Sequence, residues 1–184
     1  MAVVARSPRR LNWGCGVSPA PGWLNSDRVQ RDGVDVVADA REGLPLDTES
    51  VDYAFSMHAL QEIPFDDVAG VLGELHRVLH PGGWLRLCLP DADKGIDAYR
   101  RGDVGHFHVP DEDASTLGGK FIVHMLWYGH SRLLFTRDFT EELLLRSGFG
   151  EVHQVAYRQT ASPWPEIVEL DSRESESLYV EAVK

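Results

Sequence analysis

The 184-residue sequence has only two cysteines, Cys15 and Cys88, too few for a disulfide framework and lacking metal-ligand spacing. Such usage suits free thiols in a reducing compartment, so a cytoplasmic protein is expected. No run approaches the roughly 20 apolar residues of a membrane helix. The opening "MAVVARSPRR" has too short an apolar stretch for a signal peptide, and a frayed terminus is expected there. Positive charge is scarce: 18 Lys and Arg stand against 29 Asp and Glu, a formal net charge of −11, and the one local basic cluster is Arg6, Arg9 and Arg10. Nucleic-acid binding calls for a basic stripe, so neither nucleic acid nor membrane is expected as a partner, and a small or uncharged substrate fits better. No repeat or low-complexity linker interrupts the chain, and a single domain over 1–184 is expected.

What is present is an alternation of strand-like and helical patterns, the mark of an α/β fold with a mostly parallel sheet. Strand-like runs lie at Arg10 to Trp13, Trp23 to Asp27, Val34 to Ala40 and from Val51 onward. After Pro64, apolar residues at Val68, Val71, Leu72, Leu75, Val78 and Leu79 define one helical face, with "PGG" at 81–83 as its stop. "WLRLCLP" at 84–90 reads as a fifth strand. Residues 91–135 are irregular apart from a helix around Lys120 to Tyr128. "TRDFTEELLLRSGF" is a helix with Thr136 as N-cap and Gly148 as stop. "EVHQVAYRQ" and "SLYVEAVK" are expected as an antiparallel closing pair around the polar loop 160–176.

In an open α/β sheet, ligands bind beyond the carboxyl ends of the strands. Four such ends carry "GCG" at 14–16, Asp27, Asp39-Ala40 and "SMH" at 56–58. Glycine lets a ligand approach the backbone, and a carboxylate after the second strand can accept ribose hydroxyls. Only ten residues separate Gly16 from Asp27, and they must include the second strand, so the first helix is reduced to a turn. A dinucleotide loop would want glycine where Pro19 stands and a helix opening there. A nicotinamide oxidoreductase is therefore disfavoured.

The motifs "LNWGCG", "GWLNSD", "ADAREGLPLDTESVDYAFSMHALQEI", "LHRVLHPGGWLRLCLPD", "LLRSGF" and "ESLYVEAVK", in that order, resemble the class I S-adenosylmethionine (SAM)-dependent methyltransferases. Within them the chain is similar to the short methyltransferase-11-like group. The resemblance implies a Rossmann-like, seven-stranded, mostly parallel sheet with an antiparallel final strand, and residues 92–135 as a substrate-covering insertion. It implies SAM as cofactor and S-adenosylhomocysteine (SAH) as product. Asn12, Gly14, Cys15, Gly16, Asp27, Asp39, Ala40, Met57 and His58 would hold SAM. The acceptor would be a small molecule, methylated at oxygen.

His58 is the candidate general base and Glu62 the next catalytic candidate. His106, His108 and Tyr128 are the substrate-binding candidates, with His124, Trp127, His130 and Arg132 as possible neighbours in the same pocket. His106 and His108 could share a metal with Asp91, Asp93 or Asp111, but no third ligand has diagnostic spacing and no metal is expected. The chain departs from the family in having Asn12 where an acid is usual. It also reads His58-Ala59-Leu60-Gln61-Glu62 where His-x-Leu-Glu-His is common. These departures keep open a SAM- or SAH-binding protein without methyl transfer. The sequence carries no sign of oligomeric state.

Overall fold

The computed structural model describes residues 8–184. The expected frayed terminus, with Arg6, lies outside them. Seven strands form one sheet in the order β3-β2-β1-β4-β5-β7-β6. They are β1 (Arg10–Trp13), β2 (Leu24–Asp27), β3 (Val36–Val37), β4 (Val51–Met57), β5 (Leu79–Pro90), β6 (Glu151–Val155) and β7 (Ser177–Val183). β7 runs antiparallel to both β5 and β6, and the pairs among β1 to β5 are parallel. The expected seven-stranded sheet with one reversed strand is therefore present.

Four α-helices accompany the sheet: α1 (Phe65–Val78), α2 (Ala92–Arg101), α3 (Leu117–Leu126) and α4 (Arg137–Arg146). The apolar face of α1 is fully buried at Val68, Val71, Leu72, Leu75 and Val78, as its 3.6-residue period demands. Together with Leu143 and Leu144 of α4 it covers one side of the sheet, against Leu85, Leu87, Leu89 and Val180. Three local expectations change. α1 ends at Val78 and β5 begins at Leu79, so "PGG" lies within the start of the strand instead of stopping the helix. The run Val34 to Ala40 yields only two strand residues, at the sheet edge. Thr136 stands at the N-cap of α4, but its hydroxyl donates to Asp138 Oδ1 at 2.5 Å and caps no backbone amide.

The opposite face is covered by turns and a short 3-10 helix, Pro165–Val168, and among the described residues by no α-helix. Between Gly16 and β2 the chain makes turns, as the short spacing requires. Asn12 and Asn25, both buried, organise them. Asn25 Oδ1 accepts from Asn12 Nδ2 at 3.0 Å and from Ala20 N at 2.7 Å, while its Nδ2 donates to the carbonyls of Ala20 and Trp23. Trp23 then packs edge-on against Tyr53 at 5.3 Å. The rest of this face lies under the segment 156–176, which is pinned by Arg86. Arg86 is wholly buried and pairs with two equally buried carboxylates, Asp171 at 2.5 Å and Glu181 at 2.7 Å. Residues 92–135 are more regular than expected. α2 is capped by Asp91, whose side chain accepts from the amides of Asp93 and Lys94, and it closes at Gly102 in the left-handed region.

Candidate functional site

A cavity of about 530 Å³ opens at the carboxyl ends of β1, β2 and β4, where the parallel topology changes direction between β1 and β4. Its floor is the β1 loop. The amides of Gly14 and Cys15 both donate to Ser26 O, at 2.8 and 3.1 Å, which holds the loop against β2. The two loop glycines differ in what they need. Gly14, at φ +68°, has Ala59 so close that a Cβ would lie 2.3 Å from the Ala59 Cβ. Gly16, at φ +55°, has open space where its Cβ would be. The first serves the packing of the protein, and the second leaves room beside the backbone.

Asp27 reaches from the end of β2 across that loop. Its Oδ2 accepts from Gly16 N at 2.9 Å, and its Oδ1 accepts from Val29 N at 2.9 Å and from Arg31 Nη1 at 3.0 Å. A carboxylate has about four acceptor positions, so Asp27 has room for a further donor, and more if the half-exposed Arg31 swings away. Asp39 is tied more tightly. Arg41 grips both its oxygens, at 2.5 to 3.1 Å, and these hydrogen bonds hold its carboxyl below the usual range. The Cys15 thiol is raised, first by burial and then by Asp27, so it stays protonated and inert.

At the end of β4, His58 takes a left-handed backbone, φ 49°, and its amide donates to Cys88 O at 2.9 Å. Its Nε2 and Ser177 Oγ are hydrogen-bonded at 2.8 Å. Burial, reinforced by Arg173, pushes the imidazole down to about 4. Met57 accepts a contact from the Ser172 hydroxyl at 2.9 Å. Gln61 is buried. Its Nε2 donates to His58 O at 2.6 Å, and its backbone carbonyl accepts from Arg132 N and Leu133 N, which docks the chain after α3 onto this loop. The opposite wall comes from α3 and the start of β7. His124 Nε2 faces Glu176 Oε2 at 3.5 Å, and Glu176 also pairs with Arg173 at 2.9 Å. Burial works against charge on Glu176, but Arg173 and the neighbouring His58 and His124 outweigh it and hold the carboxyl below its usual range. Burial lowers His124, against the pull of Glu176.

All nine residues named from the sequence for the cofactor, Asn12, Gly14, Cys15, Gly16, Asp27, Asp39, Ala40, Met57 and His58, line this cavity, as does Glu62. Asn12 spends its amide on Asn25 and Ser18 O, so it braces the loop. Glu62 is at the rim, paired with Arg28 at 3.3 Å. The three substrate-binding candidates fall elsewhere. His106 and His108 stand behind His124, with ring centroids 5.6 and 5.8 Å from it, and do not line the cavity. Tyr128 is exposed and donates to Asp113 Oδ2. The strand-like spacing of the two histidines fails because they belong to a 3-10 turn and the coil after it. Residues the sequence reading missed come from the other side: Ser172, Arg173 and Glu176, just before or at the head of β7, and Gln61. The only hint of Gln61 was its departure from the family pattern.

The cavity suits a cationic adenosyl ligand. Five carboxylates and three guanidinium groups line it, leaving negative charge for a sulfonium, and Gly16 leaves the backbone open beside the Asp27 carboxylate. Sheet order, reversed β7 and a ligand cavity at the β1, β2 and β4 ends together define the class I SAM-dependent methyltransferase architecture. Residues 10–87 match the family model of a methyltransferase domain. A SAM-dependent methyltransferase from Thermotoga maritima is similar in fold, at 19% identity and TM-score 0.60 over 98% of this chain and 84% of that one. One from Mesorhizobium loti matches at 21% identity and TM-score 0.57, over 96% and 91%. The 1,6-didemethyltoxoflavin-N1-methyltransferase of Burkholderia thailandensis, solved with its substrate and SAH, matches at 16% and 0.55, over 97% and 72%. A comparison with curated proteins finds no match. Residues 10–87 thus match a methyltransferase domain, and the chain shares the fold of SAM-dependent methyltransferases. No helix among the described residues is long and apolar enough to cross a membrane.

Proposed function

We propose that the enzyme methylates a small molecule at oxygen, within a cavity shared by cofactor and acceptor. The observation that carries this is the continuity of one cavity of about 530 Å³, from Gly14, Asp27 and Asp39 to His124 and Glu176, walled by α3. That volume is in the range of small-ligand sites, roughly 300–1,000 Å³. The 92–135 segment adds His124, Met125, Trp127 and Ser131 to the wall, which supports a small acceptor over a macromolecule.

SAM, when bound, supplies an electrophilic methyl group on a sulfonium. The work of this chain is to bind, orient and exclude water. Asp27 takes the ribose hydroxyls, with the Gly14–Gly16 backbone along the amino-acid end. Ala40 borders the adenine, as does Asp39 when Arg41 yields. Met57 and His58 close the reacting end. His58 was expected as the general base, but burial keeps it neutral with a weak hold on any proton. Its better role is as an uncharged wall, since an imidazolium there would repel the sulfonium. Glu62, paired with Arg28 at the rim, is likewise no catalyst in this reading.

The test is transfer of label from methyl-labelled SAM to a panel of phenols, alcohols and amines of similar size. Label on hydroxyl oxygen supports the proposal. Label only on amines, or on added protein or RNA, overturns it. Saturable SAM binding with no transfer to any acceptor would favour a SAM-binding protein without transferase activity.

A further inference from the structure

Of the five carboxylates that line the cavity, four are each paired with an arginine: Asp27 with Arg31 at 3.0 Å, Asp39 with Arg41 at 2.5 Å, Glu62 with Arg28 at 3.3 Å and Glu176 with Arg173 at 2.9 Å. The fifth, Asp91, is spent on the first amides of α2. A ligand that brings hydrogens to these carboxylates meets donors already in place. The two pairs on the cofactor side are built differently. Asp39 accepts four contacts, all from Arg41: one from its amide, two from Nε and one from Nη2. That fills a carboxylate, and Arg41 does not itself line the cavity.

Asp27 is nearly full. Its roughly four acceptor positions carry three donors, the backbone amides of Gly16 and Val29 and the side chain of Arg31. Two ribose hydroxyls would raise the number to five, so one donor must leave. The amides belong to the β1 loop and to the turn after β2, and neither can turn away without remaking its loop. Arg31 can. Its backbone is anchored, since Val34 N donates to Arg31 O at 3.1 Å. Its side chain is 39% exposed, and among the described residues its guanidinium makes a single hydrogen bond, Nη1 to Asp27 Oδ1. Both residues line the cavity.

We infer that Arg31 is a built-in competitor of the cofactor: it covers the Asp27 carboxylate and swings into solvent when both ribose hydroxyls bind, which lowers the affinity for SAM and SAH. This rests on the reading that Asp27 takes the ribose. The release is inexpensive, because an exposed ion pair is worth little and water solvates the freed guanidinium. The sign is the distinctive part. Deleting a charged side chain from the wall of the cavity should tighten binding.

The experiment is calorimetric titration of the full chain and its variants with SAH and with 5′-methylthioadenosine, which keeps both ribose hydroxyls but has no amino-acid end. Arg31→Met, which keeps the apolar stem and removes the donors, should bind both ligands more tightly by roughly twofold to fivefold. Asp27→Asn should weaken both, and adding Arg31→Met to it should bring no gain, since the competition needs the carboxylate. Weaker SAH binding by Arg31→Met with methylthioadenosine unchanged would mean that Arg31 holds the cofactor's own carboxylate, and would overturn the inference. So would unchanged affinity for both ligands, or a gain that persists beside Asp27→Asn. If Asp27→Asn alone binds SAH as the parent does, the ribose reading falls and the inference with it, whereas a weakened Asp27→Asn beside an unimproved Arg31→Met removes the inference alone.

Discussion

Replacing Arg86 by methionine should cost about 3–5 kcal/mol of stability, because it strands two buried carboxylates. All five guanidinium hydrogens are used: two on Asp171, one on Glu181, and one each on the carbonyls of Gln159 and Ala156. Asp171 keeps Arg158 N at 2.8 Å, and Glu181 keeps Ala161 N at 2.7 Å and the Thr160 hydroxyl at 2.6 Å. Those neutral donors do not replace a cation. At roughly 2–4 °C per kcal/mol for a chain of this size, the midpoint should fall by about 6–20 °C. Urea unfolding followed by circular dichroism gives the free energy directly. Replacing all three charged residues, as Arg86→Met, Asp171→Leu and Glu181→Met together, should recover most of the loss, since no charge is then left without its counterion. A loss below about 1 kcal/mol in the single variant, or a triple variant no better than the single one, would refute the account of how this face is held. The cluster matters to the site because the segment it pins delivers Ser172, Arg173 and Glu176 to the cavity.

Other consequences are open to simpler assays. Asp27→Ala should weaken SAH binding by tenfold or more by calorimetry, on the order of one to two charge-assisted hydrogen bonds; an unchanged affinity would remove Asp27 from the ribose. Gly14→Ala should unfold at clearly lower urea, because its Cβ meets Ala59. Gly16→Ala should carry mainly the left-handed penalty of about 1–2 kcal/mol and lose more in SAH affinity than in stability. Equal stability losses in the two would contradict the division drawn between them. His58 lies below its unfolded value of about 6.5, so the unfolded chain binds the extra proton. Its contribution is present above pH about 6.5 and is lost as pH falls toward 4, by up to about 3 kcal/mol. His58→Asn, which suits the left-handed backbone, should flatten the stability profile across that window. Parallel profiles for the two proteins would sink the burial argument.

The strands and α1 were legible because burial on one face writes a period into the sequence, as Val68 to Val78 show. α2 was not. "ADKGIDAYRR" has too few apolar residues to display a face, and only its flanks, Asp91 and Gly102, carried the signal. Arg86 could be placed on a strand but not judged buried, because its partners lie 70 to 95 residues away and the loop that covers it has no period. The cofactor side of the site was readable for a related reason. Glycine and aspartate at strand ends are local features, and topology brings strand ends together. The far wall of the cavity is assembled from α3, Gln61 and the head of β7, three places with no shared pattern; of the histidines that the sequence offered there, His124 lines it and His106 and His108 do not.

The most direct test of the central claim, that this cavity is a SAM site, is thermal unfolding with SAM, SAH and NADH added separately at saturation. A ligand at 100 times its dissociation constant adds about 2.7 kcal/mol, which should raise the midpoint by roughly 5–11 °C. A rise of that order with SAM and SAH, and none with NADH, is the result predicted. No shift with SAM or SAH, or an equal shift with NADH, would contradict the account.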